Sequence, residues 1–305
     1  MRHKIIKTIK FSLGAVTLCA ILGNSGCLVD TGSDVAEPKK IDQKFLRIYK
    51  AGDEIRYDAR IDVHTGTIVT KWELPGVIPD GNPLEPNNQE IPGLLKETTT
   101  LEYDSLDQPI TVVRYITQDS DPTSATYGAI TVHMFTSQSA NQYDYVNDSA
   151  SMANPPVPAV IQPSPFALDD NFQPVSGQSD QMINYYVLPC DSSNNTCSSG
   201  ANQYLSETLT LSQMIKENLE TTVDTFETIK VPYDGVINDQ NANDPNIRLD
   251  IRAFCGVAND TNISFSGSRW YYPKIGVVRY EMHCSSSSGD QQIAAATVSS
   301  VKFQY

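Results

Sequence analysis

Apolar and polar residues alternate without a break over 54–63. Ile55, Tyr57, Ala59, Ile61 and Val63 fall in one phase, and Glu54, Arg56, Asp58, Arg60 and Asp62 fall in the other. A period of two, with both signs of charge in the polar phase, predicts a half-buried strand of an antiparallel sheet. His64-Thr65-Gly66 predicts the following turn, and 67–72 the returning strand. The same signal recurs at 98–103, 110–117, 127–135, 182–188, 203–211, 226–233, 247–255, 269–283 and 292–304. Only 209–220 competes as a helix, through Leu209, Met214, Ile215 and Leu219, and it predicts a short one at most.

Two stretches interrupt the strands. Residues 75–93 hold five prolines and three glycines, and 155–165 hold five prolines in eleven residues. Both predict loops, the second being either a crossing loop within one sheet system or a sub-boundary near 150–178. The fold class expected is mainly β: an antiparallel curved sheet, open barrel or sandwich with long proline-rich loops. The expected organisation is a signal segment at 1–26, a polar tether at 27–44 and a β-rich domain at 45–305.

The tether and signal follow from the first thirty residues. Arg2, Lys4, Lys7 and Lys10 precede a charge-free run at 11–22, and small or polar residues lead up to Cys27. A basic start, a short apolar core and a small-residue exit form a secretory signal, and the run is too short for a permanent span. Asn24-Ser25-Gly26-Cys27 resembles the lipobox of bacterial lipoproteins, in which the cysteine takes diacylglycerol and palmitate. The resemblance implies lipid attachment at Cys27. Leu28, in place of an aspartate, implies the outer membrane.

Removing 1–26 takes four of the 22 Lys and Arg and none of the 36 Asp and Glu, which leaves 18 against 36. A chain this acidic, with no basic run, is not built to neutralise phosphates, so no nucleic-acid partner is expected. Membrane contact would come from the acyl anchor. Cys190, Cys197, Cys255 and Cys284 remain, an even number suited to two disulfides in an oxidising compartment. Four cysteines allow three connectivities, of which Cys190–Cys197 and Cys255–Cys284 are favoured. There is no C-x₂-C pair and histidine is scarce, so a zinc site is not expected.

Motifs that mark chemistry are missing. The chain has no G-x-S-x-G, H-E-x-x-H or P-loop, and no cofactor is expected. The mature histidines are His64, His133 and His283, read as surface or core-edge residues. Asp239, Asn241, Asn243 and Asp250 have calcium-loop spacing, but Asp244 stands where the sharp turn needs glycine, and a solvated hairpin loop is the reading. Charges in 54–63 and uneven strand spacing argue against a transmembrane barrel.

Residues 221–231, TTVDTFETIKV, and 269–282, RWYYPKIGVVRYEM, resemble the C-terminal half of uncharacterised β-rich bacterial envelope lipoproteins. Phe226, Thr228 and Lys230 match the first motif. Trp270, Tyr271, Gly276, Val278 and Arg279 match the second. Val223-Asp224-Thr225 stands where the family has a glycine turn. The resemblance implies a curved half-barrel like those of envelope lipoprotein carriers, and it brings no catalytic residues. Independently, Gly276 within an apolar run predicts a bulge or a close backbone approach, and Trp270, Tyr271 and Tyr272 read as core and rim aromatics.

The function expected is therefore an outer-membrane-anchored lipoprotein with a non-catalytic binding or structural role, its partner a lipid or an envelope protein. A hydrolase with a scattered site is the alternative. For a carrier, Ile55, Tyr57 and Ile61, with Tyr271, Val277 and Tyr280, are the residues proposed to line a concave face. The simpler alternative is that they fill a closed core.

Overall fold

A computed structural model describes residues 47–75, 91–104, 108–121, 123–124, 127–136, 142–147, 159–160, 173–191, 196–197, 202–238, 262–272, 275–286 and 291–304. The strands are β1 (Glu54–Ile61), β2 (His64–Glu73), β3 (Leu95–Tyr103), β4 (Ile110–Gln118), β5 (Ile130–Thr136), β6 (Gln142–Asn147), β7 (Ala159–Val160) and β8 (Gln181–Asp191). They continue with β9 (Thr196–Cys197), β10 (Asn202–Leu209), β11 (Ile215–Glu220), β12 (Thr225–Asn238), β13 (Asn262–Tyr272), β14 (Gly276–Ser286) and β15 (Gln291–Lys302). The helical element among the described residues is one 3₁₀ turn, Leu211–Gln213.

All fifteen strands join one large, curved antiparallel sheet, as the alternation predicts. Its order runs β10-β12-β13-β14-β15-β1-β2-β3-β4-β5-β6-β8-β9, so the first strand lies beside the last. β8 also pairs with β10, which brings the far end of this order back beside its start. β12 changes partner along its length, taking β11 over Thr225–Lys230 and β10 over Tyr233–Ile237. The strands flanking the proline-rich break share the sheet, since β6 pairs with β8 and β7 pairs with β5.

Two glycines show how tightly the inner side is drawn. Gly66 pairs with Tyr103 and Gly267 with Tyr233. A Cβ on either glycine would stand 1.9 Å from a backbone oxygen, that of Glu102 or Glu281. Only glycine fits there. The inner face carries one continuous apolar cluster, drawn from strands throughout the sheet. Ala294 and Ala296 of β15 keep that wall thin between the tyrosine-bearing strands β1 and β14. Leu94, Tyr115, Met134 and Leu188 form a smaller, separate cluster.

Several elements differ from expectation. The β1–β2 turn is at Asp62 and Val63, with Asp62 at φ 52°, and His64 already begins β2. Gly66, taken for a turn glycine, is instead required by the approach to β3. The helical candidate 209–220 becomes the 3₁₀ turn and β11, because pairing with β12 satisfies its backbone and leaves Ile215 outside, half exposed. The single strand expected at 269–283 is two, β13 and β14. Gly276 opens β14 at φ 91°, and the bulge lies at Val278, left unpaired between Tyr271↔Val277 and Trp270↔Arg279. The strand expected at 247–255 lies outside the described residues. Trp270 and Tyr271 are buried and Tyr272 is half-buried, as read from the sequence. No helix among the described residues is long and apolar enough to cross a membrane.

Candidate functional site

Alternation should fill the inner face with apolar side chains, yet four charged residues occupy the inward phase. On β3, Glu97 takes its turn between Leu95 and Thr99, and on β4 Arg114 falls between Val112 and Ile116. They face one another in register, and Arg114 Nε donates to Glu97 Oε1 at 2.7 Å while Trp72 Nε1 donates to Oε2 at 3.1 Å. Glu207 of β10 and Arg269 of β13 form the second pair, reaching across β12. Nη1 and Nη2 donate to the two carboxylate oxygens at 2.7 and 2.6 Å, the bidentate geometry that makes such pairs strong. The Arg269 guanidinium lies 4.3 Å from the centre of the Tyr233 ring.

Phenols complete this interior. Tyr57 donates to the carbonyl of Val277 at 3.1 Å, and Tyr233 to that of Glu281 at 2.9 Å. Burial pushes Tyr57, Tyr233 and Tyr280 well above the ordinary phenol range, with the Glu97 charge adding to the effect at Tyr57. All three therefore remain neutral hydroxyls. The two glutamate side chains are 5% exposed, whereas the arginines retain 28% (Arg114) and 24% (Arg269). The glutamates are thus sealed, while their arginine partners keep part of their side-chain surface accessible.

A third carboxylate is sealed. Asp53, 1% exposed, accepts from Arg47 Nε and Nη2 at 3.1 Å each, from the Lys50 amide at 3.0 Å and from the Gln304 amide at 2.7 Å. Arg47 also donates to the Gln304 carbonyl at 3.0 Å and lies over the Phe303 ring. This clasp ties the start of the described chain to its end.

Outside the sheet, where β12 changes partner, a groove of about 440 Å³ is lined by Thr210, Gln213, Asp234, Ser266, Glu281 and His283, among others. Asp234, Ser266 and His283 stand in one cross-strand row. The serine lies between acid and imidazole, whereas a nucleophile–base–acid relay places the imidazole in the middle. The row has no hydrogen bond between its members among the described residues.

The other histidines do structural work. His64 Nδ1 meets Asp104 Oδ1 at 2.9 Å on the surface. His133 is the unpaired residue of a β4–β5 bulge, between Tyr115↔Met134 and Ile116↔Val132. Its Nε2 lies 2.9 Å from the Thr117 hydroxyl and its Nδ1 has no partner. Burial lowers its pKa to about 4.

Cys190 and Cys197 face one another in the β8–β9 register. Cys284 is fully buried and is disulfide-bonded, but Cys255 lies outside the described residues, as do Cys27 and the calcium-spaced Asp239, Asn241, Asn243 and Asp250. No group of three or more possible metal ligands occurs among the described residues. The residues named for a concave carrier face, from Ile55 to Tyr280, are part of the apolar cluster or pack against it. The interior ion pairs escaped the sequence reading, although a signal was present. In each of four strands a charged residue stands in the apolar phase, two of each sign.

No family model and no curated protein matches the chain. Two solved structures align with 85% of this chain and 99% of their own. One is a Bacteroides fragilis protein inferred to be exported, with a YmcC-like fold, at 13% identity and a TM-score of 0.38. The other is a Parabacteroides distasonis protein inferred to be a lipoprotein, at 12% identity and a TM-score of 0.34. Superpositions this loose decide neither fold nor function.

Proposed function

We propose that the chain is a lipid-anchored protein of the bacterial outer membrane, held through Cys27, with a non-catalytic binding role served by its polar interior. The charged inner face carries this reading. Buried ion pairs are seldom more stabilising than apolar residues of the same volume, so a core shaped for stability alone would not contain two of them. Arginine side chains that keep about a quarter of their surface accessible, beside neutral phenols, suit recognition of a small molecule. The anchor rests on the N-terminal charge, apolar run and small-residue exit before Cys27.

Cys27→Ser tests the anchor. The variant loses incorporation of labelled palmitate and accumulates as a precursor. Labelling and fractionation equal to the unaltered protein would overturn the assignment. Native mass spectrometry of the full processed chain tests the binding role, with a co-purifying small molecule as the expected result. A bare polypeptide that takes up nothing from an envelope extract would leave only a structural role.

A further inference from the structure

The groove outside the sheet arises where β12 changes partner. Just past β10 the Thr210 amide donates to the Pro232 carbonyl at 2.9 Å, and the chain then turns through Leu211–Gln213 before β11 begins. Thr210 and Gln213 border the groove. Two cross-strand rows also line it, Asp234, Ser266 and His283 in one and Pro232, Ser268 and Glu281 in the other. These six alternate along their strands with Tyr233, Gly267 and Met282, whose two side chains are buried, and each of the six is itself at least partly accessible. The volume, about 440 Å³, falls within the range of small-molecule sites.

The polar groups of this groove are not occupied with one another. Elsewhere in the sheet, charges that alternate with buried residues pair across strands, as Glu54 with Lys71 at 3.7 Å and Glu73 with Lys96 at 3.8 Å. Asp234 instead faces Thr208 and Ser266 in the register, and neither is basic. Among the described residues its carboxylate has no ion pair or hydrogen bond, and the side chains of Gln213, Ser266, Ser268 and His283 have none either. Glu281 gives one oxygen to Arg279 and keeps the other free.

This lining selects a chemistry. Hydroxyls, an amide and an imidazole offer both donors and acceptors, whereas a carboxylate only accepts. A ligand that satisfies them carries donors and acceptors closely spaced over its own surface. Asp234 repels an anion. An ammonium gains little from one exposed carboxylate, because water and salt screen such a pair. Adjacent hydroxyls fit better, since two O–H groups can donate to one carboxylate while their oxygens accept from the serines, Gln213 and His283. Pro232 adds an apolar surface for the C–H face of a ring. We propose that this groove binds a neutral saccharide, with adjacent ring hydroxyls on Asp234 and others on Gln213, Ser266, Ser268 and His283. The groove residues fall in the opposite strand phase from the interior ion pairs, so this site stands independently of the role proposed for those pairs.

Saturation-transfer difference NMR on the full processed chain, in phosphatidylcholine nanodiscs that contain no sugar, is the test. The probes are the methyl glycosides of glucose, galactose, mannose and N-acetylglucosamine. At least one should saturate the protein with a Kd in the millimolar range, as an open, hydrogen-bonding groove implies. Asp234→Asn, which keeps the shape and removes the charge, should weaken that binding about tenfold. Ser268→Leu, which fills the groove, should abolish it. Asp104→Asn, at the surface contact with His64, should leave it unchanged. Saturation by none of the four, or unchanged affinity in both groove variants while circular dichroism shows a native sheet, would overturn the proposal. Tighter binding of glucosamine than of N-acetylglucosamine would make the ligand a cation and overturn it equally. Tighter binding of the corresponding disaccharide would support the proposal with a glycan chain as the source, and equal affinity would support it with a free sugar.

Discussion

Asp53 and Glu207 are both carboxylates paired with an arginine in a β protein, but their surroundings differ. Asp53 accepts four hydrogen bonds, two from Arg47 and two from backbone amides, and has no lone pair left to recruit. Glu207 accepts two, both from a guanidinium that keeps a quarter of its side chain accessible. A saturated carboxylate joins parts of a fold. An unsaturated pair with accessible surface can still trade a water contact for a ligand contact. The difference separates a fastening from a binding surface without any catalytic motif.

The contrast is broken most severely at the clasp. Asp53→Ala leaves Arg47 and two amides unpaired and should cost about 3–5 kcal/mol. Calorimetry should register a fall of roughly 10 °C in Tm. A loss under 1 kcal/mol would mean that the four bonds are replaced by water and that saturation does not mark a structural role.

His133 lies between the two cases, with one nitrogen bonded and one orphaned. Its pKa falls from 6.5 to about 4 on folding because burial disfavours the charged ring. Between these values the unfolded chain holds a proton that the folded chain lacks. Stability therefore drops as pH falls from about 6.5 towards 4, by about 3 kcal/mol over the whole span. Urea melts of the protein and of His133→Asn across this window isolate the contribution. Parallel curves for the two would show that His133 does not carry it.

The smallest effect is expected inside. Glu207→Gln keeps size and one acceptor, and Arg269 can turn to water in the accessible space, so the loss should be about 1–2 kcal/mol. A loss matching that of Asp53→Ala would place the interior pair in the same class as the clasp and remove the distinction.

Much of the sheet was legible because period-two patterning depends only on neighbours in sequence. β1, β4 and β15 lie close to where alternation puts them, since each has one face in the core. Elements set by tertiary pairing were less visible. The spacing of Leu209, Met214, Ile215 and Leu219 fits a helix turn as well as a broken strand, and β12 decides between them. Gly66 looked like punctuation because only the three-dimensional approach of Glu102 shows why it is there. The interior site was harder still. Glu207 and Arg269 are 62 residues apart and meet only because β12 separates their strands. Their presence in the apolar phase was readable, but their pairing was not.

The bond between Asp53 and the Gln304 amide spans 251 residues of chain and sits at the end of the β1–β15 ladder. For folding, this makes the seam the step with the greatest loop-closure entropy, while hairpins such as β1–β2 and β13–β14 form from local contacts. A chain emerging N-terminus first during synthesis holds β1 with one edge unpaired until β15 has followed it. The exposed edge is the interval in which proteases, chaperones or a second copy of the chain compete for the same hydrogen bonds. The clasp forms only once the last residues arrive, and it ends that competition.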